Sequence, residues 1–367
     1  MKIALVHDYL AQDGGAERVV EAFHNIWPNA PIYVLFHDPD KIGSFQNAQI
    51  RESFLKNFPF SRSHYQWYLP LMPLATEHYD LRGFDVVLSS TSAFAKGVLT
   101  DPGAIHICYC HTPTRFLWTD THEYIRDLKY NALVKILLPR LIHKLRMWDR
   151  MSVDRVDHFL ANSNTVKNRI QKYYKRDALV VYPPVDTSQY YVSDEVGDYF
   201  ITGGRLAAYK RFDLVIQVFN RLGWKLKIFG TGPGWWDDIK KSAKSNIEFL
   251  GKVSEKEKIE LLSKAKAFIH PQLEDFGITP VEAMASGCPV IAYGKGGATE
   301  TVIDGQTGLL FEEQTWETLF DLLLRRFPHK DFDRHQIAHH AKQFDIRRFE
   351  KEVFGLIQGK FEASKMR

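Results

Sequence analysis

Glu274 and Glu282 stand with seven residues between them in the stretch 270–292, around a loop that contains Gly277. The stretch reads as a buried strand, a loop, a short helix and a further strand. Thr279 is a natural N-cap, Pro280 fits the first helical position, and Gly287 with Pro289 supplies the stop. The loop therefore aims a helix N-terminus at whatever lies above it, and free N–H groups with the positive end of the helix dipole suit a phosphate there. Arg205 and Lys210 follow a short apolar run and the pair Gly203 and Gly204, which places two cations at the carboxyl end of a strand. As an isolated pair they would read as a solvated basic turn.

Each carboxylate has a second reading. A loop residue such as Glu274 can simply be exposed. The run 279–282 has the form Thr-x-x-Glu, so Glu282 can serve a capping box with Thr279. His111 follows a strand end in the first half of the chain. His106, Cys108 and Cys110 alternate just before it, but zinc wants four ligands and no second cysteine pair exists. A buried strand with cysteines acting as small apolar residues is the better reading, and no metal requirement is expected. Gly14 and Gly15, after Asp13, stand between an apolar run and a helical pattern. They do not form GxGxxG, so they support a tight turn or a close backbone approach to a ligand, without dinucleotide binding.

These residues need two α/β halves to position them. At 367 residues the chain exceeds one ordinary core, with 45% hydrophobic and 25% charged residues as in a globular protein. No run reaches the roughly eighteen apolar residues of a membrane span. The run 3–6 meets His7 and Asp8 at once, which speaks against a signal-peptide core and for a cytoplasmic protein. Three cysteines give no disulfide framework, and a net charge of +4 is too small to imply nucleic acid. Short strands at 3–6, 32–35, 85–89, 104–109, 159–162 and 178–182 alternate with helices at 131–148 and 165–174. A second alternation starts at 199 and runs through a helix at 212–222, a strand at 225–229, a turn at 230–234, a strand at 247–250, a helix at 256–264 and a strand at 267–269. The fold class is α/β, with two Rossmann-like doubly wound domains facing a cleft: 1–184, a linker at 185–198, 199–342, and a C-terminal helix at 343–367 directed back toward the first domain.

The second half resembles the nucleotide-sugar domain of retaining glycosyltransferases of the GT-B fold, family 4. The matching pieces are Gly204-Arg205 with Lys210, the run 230–233, Gly251-Lys252-Val253, Glu274 with Glu282, and Gly296-Gly297 with Glu300. The first half matches through Gly14-Gly15 and the run 110–113, and residues 111–118 look most like bacterial mannosyltransferases of O-antigen and exopolysaccharide assembly. The resemblance implies that Arg205 and Lys210 meet the diphosphate, which gains charge as the glycosidic bond breaks. It implies that Glu274 and His111 meet the donor sugar. Backbone N–H groups of Phe276, Gly277, Ile278 and Thr279 would serve sugar and phosphate, and Glu282 would bind the ribose. Base contacts would lie around Lys252 and Val253, and no separate cofactor is implied. Retention would proceed by front-face substitution, since no carboxylate pair at double-displacement distance is visible.

Three function classes remain. The first moves a hexose, mannose from GDP-mannose, onto a lipid-linked glycan. The second uses UDP-glucose or another donor on a soluble acceptor. The third is a non-catalytic sugar-nucleotide binder. Basic residues Lys135, Arg140, Lys144, Arg146, Arg150 and Arg155 mingle with Leu137, Leu138, Leu141, Ile142, Leu145, Met147 and Trp148. Such a stretch can lie on an anionic membrane surface at the inner face, with the aromatic run 65–69 beside it, or be a core-facing helix with solvated charges.

Overall fold

The computed structural model describes residues 1–11, 14–43, 45–61, 63–127, 132–232 and 236–366. Asp13, Asn131 and the end of the 230–234 turn lie outside them, as does the side chain of Lys135. The chain divides into two units, Met1–Pro184 with Phe349–Arg367, and Val185–Arg348.

In the first unit the strands are β1 (Ile3–His7), β2 (Ile32–Val34), β3 (Ile50–Glu52), β4 (Val86–Thr91), β5 (Ile105–Cys110), β6 (His158–Ala161) and β7 (Ala178–Val180). They form one parallel sheet in the order β3-β2-β1-β4-β5-β6-β7. The central strands are buried along their whole length, as expected of a parallel sheet covered by helices on both faces. Helix α1 (Gly15–Ile26) buries Val19, Val20 and Phe23. Helix α2 (Ala132–Ser152) buries Leu138, Ile142 and Leu145 at helical spacing against Leu35, Phe36 and Phe94. Helix α3 (Asn164–Tyr174) starts where the Ser163 side chain accepts the Val166 N–H, and packs Val166, Ile170 and Tyr174 on Cys108, Cys110 and Phe159. The cysteines are packing residues, and burial pushes the Cys108 thiol up to about 12. Just past β1, the buried Asp8 carboxylate accepts the backbone N–H groups of Ser92, Ala93, Phe94 and Ala95 at 2.6–2.9 Å, which ties β1 to the turn after β4.

The second unit contains β8 (Phe200–Gly203), α4 (Phe212–Leu222), β9 (Leu226–Phe229), β10 (Ile247–Gly251), α5 (Glu255–Lys264), β11 (Phe268–His270), α6 (Ile278–Ala285), β12 (Val290–Tyr293) and β13 (Gly308–Phe311). Its sheet is also parallel, in the order β10-β9-β8-β11-β12-β13. The run 185–198, read from sequence as a linker, belongs to this unit. Val185 N–H donates to Phe344 O and Ile346 N–H to Val185 O, both at 3.0 Å, and Thr187 N–H reaches Asp345. Those bonds satisfy backbone groups that a free linker would leave to water. Helix α7 (Ile346–Lys365) runs on into the first unit, where Phe349 stacks on Phe23 at 5.8 Å and packs edge-on to Tyr109.

In each sheet the strand order reverses once, between β1 and β4 and between β8 and β11. Ligands of open parallel sheets bind outside the carboxyl ends of the strands at such a reversal.

Candidate active site

The reversal in the second sheet gathers most of the residues singled out above. Beyond the end of β8, Gly204 takes φ +120, and an added Cβ would stand 3.4 Å from Lys210 Nζ. Arg205 follows, exposed, and Lys210 is mostly buried. Lys210 Nζ lies 2.9 Å from Glu274 Oε1 in the loop beyond β11. The cation expected at a diphosphate and the carboxylate expected at a sugar are thus paired with each other in this structure. Gly296 and Gly297, beyond β12, press on the same loop: Gly297 N–H donates to Glu274 O at 2.9 Å, and a Cβ on Gly297 would stand 2.3 Å from Phe276 Cα.

Helix α6 begins earlier than expected. Its cap is Gly277, at φ +90 and without a side-chain capping bond, and Ile278 is its first residue. Thr279 is therefore inside the helix and not its cap, and Pro280 sits third, where a missing N–H costs nothing because first-turn N–H groups lack intrahelical partners. Glycine makes this start possible, since the chain turns through a left-handed conformation there. The capping box is displaced with it. Glu282 lies in the second turn, buried, with both carboxylate oxygens 3.1 Å from Lys258 Nζ of α5. Phe276 is buried against Phe344, and Gly277, Ile278 and Thr279 form the helix start facing the loop. Lys252 and Val253 follow Gly251 at the end of β10, Lys252 exposed and Val253 half-buried.

His270 carried no assignment from the sequence. It closes β11, is 1% exposed, and neither ring nitrogen has a hydrogen-bond partner; Nε2 faces Glu274 Oε2 at 4.0 Å. Burial holds its pKa down at about 4 against the opposing pull of Glu274. Gln272 Oε1, also buried, has no partner either. Unpaired buried polar atoms are costly and concentrate where a ligand completes them. The signal in the sequence was a polar residue ending the apolar run 267–269.

In the first unit, His111 lies just beyond β5. Its backbone N–H donates to Thr91 O and its carbonyl accepts from Asn162 Nδ2. Its Nε2 is 2.8 Å from Ser90 Oγ. Burial first, and then the neighbouring His7, lower its pKa to about 3, so the ring is neutral near pH 7. The loop that follows is pinned from below: Asp149 of α2 takes Lys96 Nζ at 2.5 Å, Thr114 Oγ1 at 2.8 Å and Trp118 Nε1 at 2.8 Å. His7, Glu17 and Ser90 were also missed, although the polar end of β1 and a glutamate in a helix's first turn were visible. Gly14 caps α1 with an extended backbone, and Gly15 is the first helical residue. A Cβ on Gly14 would stand 2.9 Å from Glu17 Oε2, so the glycine makes room for a buried carboxylate. His106 does not point to a metal: its ring nitrogens meet Ser89 Oγ at 2.8 Å and Arg155 O at 3.1 Å.

Comparison with known proteins adds the following. Residues 13–189 match the Glycosyltransferase Family 4 family, and residues 187–344 match Glycosyl transferases group 1. An uncharacterized glycosyltransferase of Methanocaldococcus jannaschii, MJ1178, is 29% identical over 58% of this chain and 62% of its own. The O-antigen chain mannosyltransferase RfbU of Salmonella typhimurium is 34% identical over 39% of this chain and 43% of its own. The α-1,3/1,6-mannosyltransferase ALG2 of Rhizomucor pusillus is 34% identical over 29% of this chain and 24% of its own. The chain thus spans less than two thirds of the length of these relatives. Among solved structures, HepE of Anabaena, in complex with UDP and glucose, is similar at a TM-score of 0.70 and 18% identity, over 98% of this chain and 99% of its own. WaaG, a glycosyltransferase involved in lipopolysaccharide biosynthesis, is similar at 0.68 and 15%, over 97% and 100%.

Proposed function

The chain belongs to the glycosyltransferases that join a family 4 domain to a group 1 domain on the GT-B fold, and from that premise we propose that it transfers a hexose, mannose from GDP-mannose, onto a lipid-linked glycan of surface polysaccharide or O-antigen assembly. The observation that carries the donor side is the Lys210–Glu274 pair in front of the α6 start, at the strand-order reversal. A diphosphate arriving there exchanges Glu274 for phosphate oxygens around Lys210, with Arg205 as second cation and the N–H groups of 277–279 as donors. Glu274, released from Lys210, accepts hydroxyl protons of the donor sugar. Glu282 serves the ribose through whichever oxygen Lys258 leaves available, and Lys252 and Val253 border the base. Mannose is favoured by the RfbU and ALG2 relatives.

In this reading the reaction retains anomeric configuration by front-face substitution: the leaving phosphate oxygen accepts the acceptor hydroxyl proton as the new glycosidic bond forms on the same face. No metal is required, because protein cations and N–H groups meet the leaving group. For the acceptor, exposed Phe58, Phe60, Trp67, Leu71 and Leu74, and Ile136, Leu137, Met147 and Met151 on α2 beside Arg140, Lys144 and Arg150, suit peripheral contact with an anionic membrane. No helix among the described residues is long and apolar enough to cross a membrane.

Calorimetry and thermal shift with GDP-, UDP- and ADP-sugars test the donor, since a ligand above its Kd must raise the melting temperature. GDP-mannose should give the largest shift, and slow donor hydrolysis should follow. A larger response to UDP-glucose overturns the donor assignment. An inverted product, a trapped glycosyl-enzyme or loss of activity on chelation overturns the mechanism, and failure to float with anionic liposomes at low salt overturns the membrane contact.

A further inference from the structure

His111, Ser90 and His7 form a hydrogen-bonded chain across the ends of β5, β4 and β1, with Ser90 and His7 buried and His111 half-buried. His7 Nδ1 lies 3.0 Å from the carbonyl oxygen of Ser90 and 3.1 Å from Ser90 Oγ. A carbonyl can only accept, so His7 Nδ1 carries a proton and donates. Ser90 Oγ accepts a share of that proton, and its own hydrogen is then left for His111 Nε2, 2.8 Å away. The reverse arrangement, with His111 Nε2 donating, would leave the hydroxyl hydrogen of a 1% exposed serine without an acceptor among the described residues. On the far side of His7, Glu17 Oε1 faces Nε2 at 3.9 Å and keeps the ring oriented. The direction of the chain therefore decides which nitrogen of His111 is protonated.

We propose that Ser90 and His7 are positioning residues that hold His111 as its Nδ1–H tautomer, so that this ring presents an N–H donor to an oxygen of the bound sugar. The kinetic half rests on the placement of His111 at the donor sugar, which the family resemblance implies and the function proposed above adopts; the tautomer half does not. Among the described residues Nδ1 of His111 has no hydrogen-bond partner, which leaves it to a ligand.

Long-range proton–nitrogen NMR on the full chain with 15N-histidine reads the tautomer directly. Wild type should show His111 with Nδ1 protonated and Nε2 bare. Ser90→Ala should give a mixture of tautomers, and Ser90→Thr, which keeps the hydroxyl, should restore the single form. His7→Phe should mix the forms only in part, because Ser90 Oγ no longer accepts from His7 and its hydroxyl becomes a weaker donor to His111 Nε2. Turnover should fall about tenfold in Ser90→Ala, the value of one hydrogen bond, with donor KM little changed and Ser90→Thr near wild type. An Nε2-protonated His111 in wild type, or an unchanged tautomer in folded Ser90→Ala, overturns the proposal. Mixed tautomers with unchanged turnover remove His111 from the sugar and leave the tautomer assignment standing.

Discussion

Lys210 and Glu274 are joined at 2.9 Å, while the other carboxylate oxygen of Glu274 faces His270 Nε2 at 4.0 Å. One carboxylate thus links the loop beyond β8 to the loop beyond β11 across the reversal in strand order. Each charge has a partner, and the site avoids a half-buried unpaired charge.

A double-mutant cycle tests that link. Lys210→Met and Glu274→Gln should each lower kcat/KM by about a hundredfold or more, the scale of a lost electrostatic contact in a transition state. If the two act as one unit, the double variant is little worse than either single one. Near-full transfer activity in either single variant removes the pair from the chemistry.

Gly297→Ala should distort the loop that carries Glu274. The new methyl would stand 2.3 Å from Phe276 Cα and 2.4 Å from Phe276 O, both backbone atoms that cannot step aside. A loss of about 1–3 kcal/mol is expected from overpacking, together with a raised donor KM. Unchanged stability and KM would show that the loop tolerates displacement.

His270→Leu should make the second unit more stable and less active. It removes two buried ring nitrogens that lack partners, a gain of about 1–3 kcal/mol. Calorimetry of the variant should show a higher melting temperature beside weaker donor binding. A lower melting temperature would mean that the nitrogens are satisfied in solution.

Stability should fall as pH drops below 6.5. Burial holds His106 near 4, His111 near 3 and His270 near 4, all below the ordinary 6.5, so the unfolded chain binds protons that the folded chain refuses. Stability from these groups is complete above about 6.5 and is lost as pH falls toward 4, at about 1.4 kcal/mol per pH unit for each proton taken up. His7 runs the other way: burial lowers its pKa, but the facing Glu17 carboxylate at 3.9 Å, with Asp8 and the Ser90 carbonyl, outweighs burial and raises it, so its contribution is present at low pH and fades above its folded value. Melting temperatures between pH 4.5 and 7.5 should rise with pH, and His270→Leu should flatten the slope for the second unit. A flat wild-type profile would contradict the burial of these rings.

Glu282 separates what could be read from sequence and what could not. Its spacing from Glu274 was plain, and so was the Thr-x-x-Glu pattern, but the pattern pointed to a cap that α6 does not use. The partner it has is Lys258, 24 residues away on α5. No local spacing encodes such a pairing.

The alternation of apolar runs and helical patterns determined two parallel sheets, because strand and helix periodicities are local and parallel strands buried on both faces read as continuous apolar runs. The glycines, the cations beyond β8 and the two glutamates were legible for the same reason, as short patterns at fixed offsets. Tertiary structure decided which of them meet. Lys210 reaches Glu274 only because β8 and β11 are neighbours, and His7 reaches Ser90, 83 residues on, only because β1 and β4 pair in register. The helix start at Gly277 was decided there too, since a left-handed φ depends on how the loop is packed between His270 and Gly297, and a sequence pattern reports only which residues could adopt it.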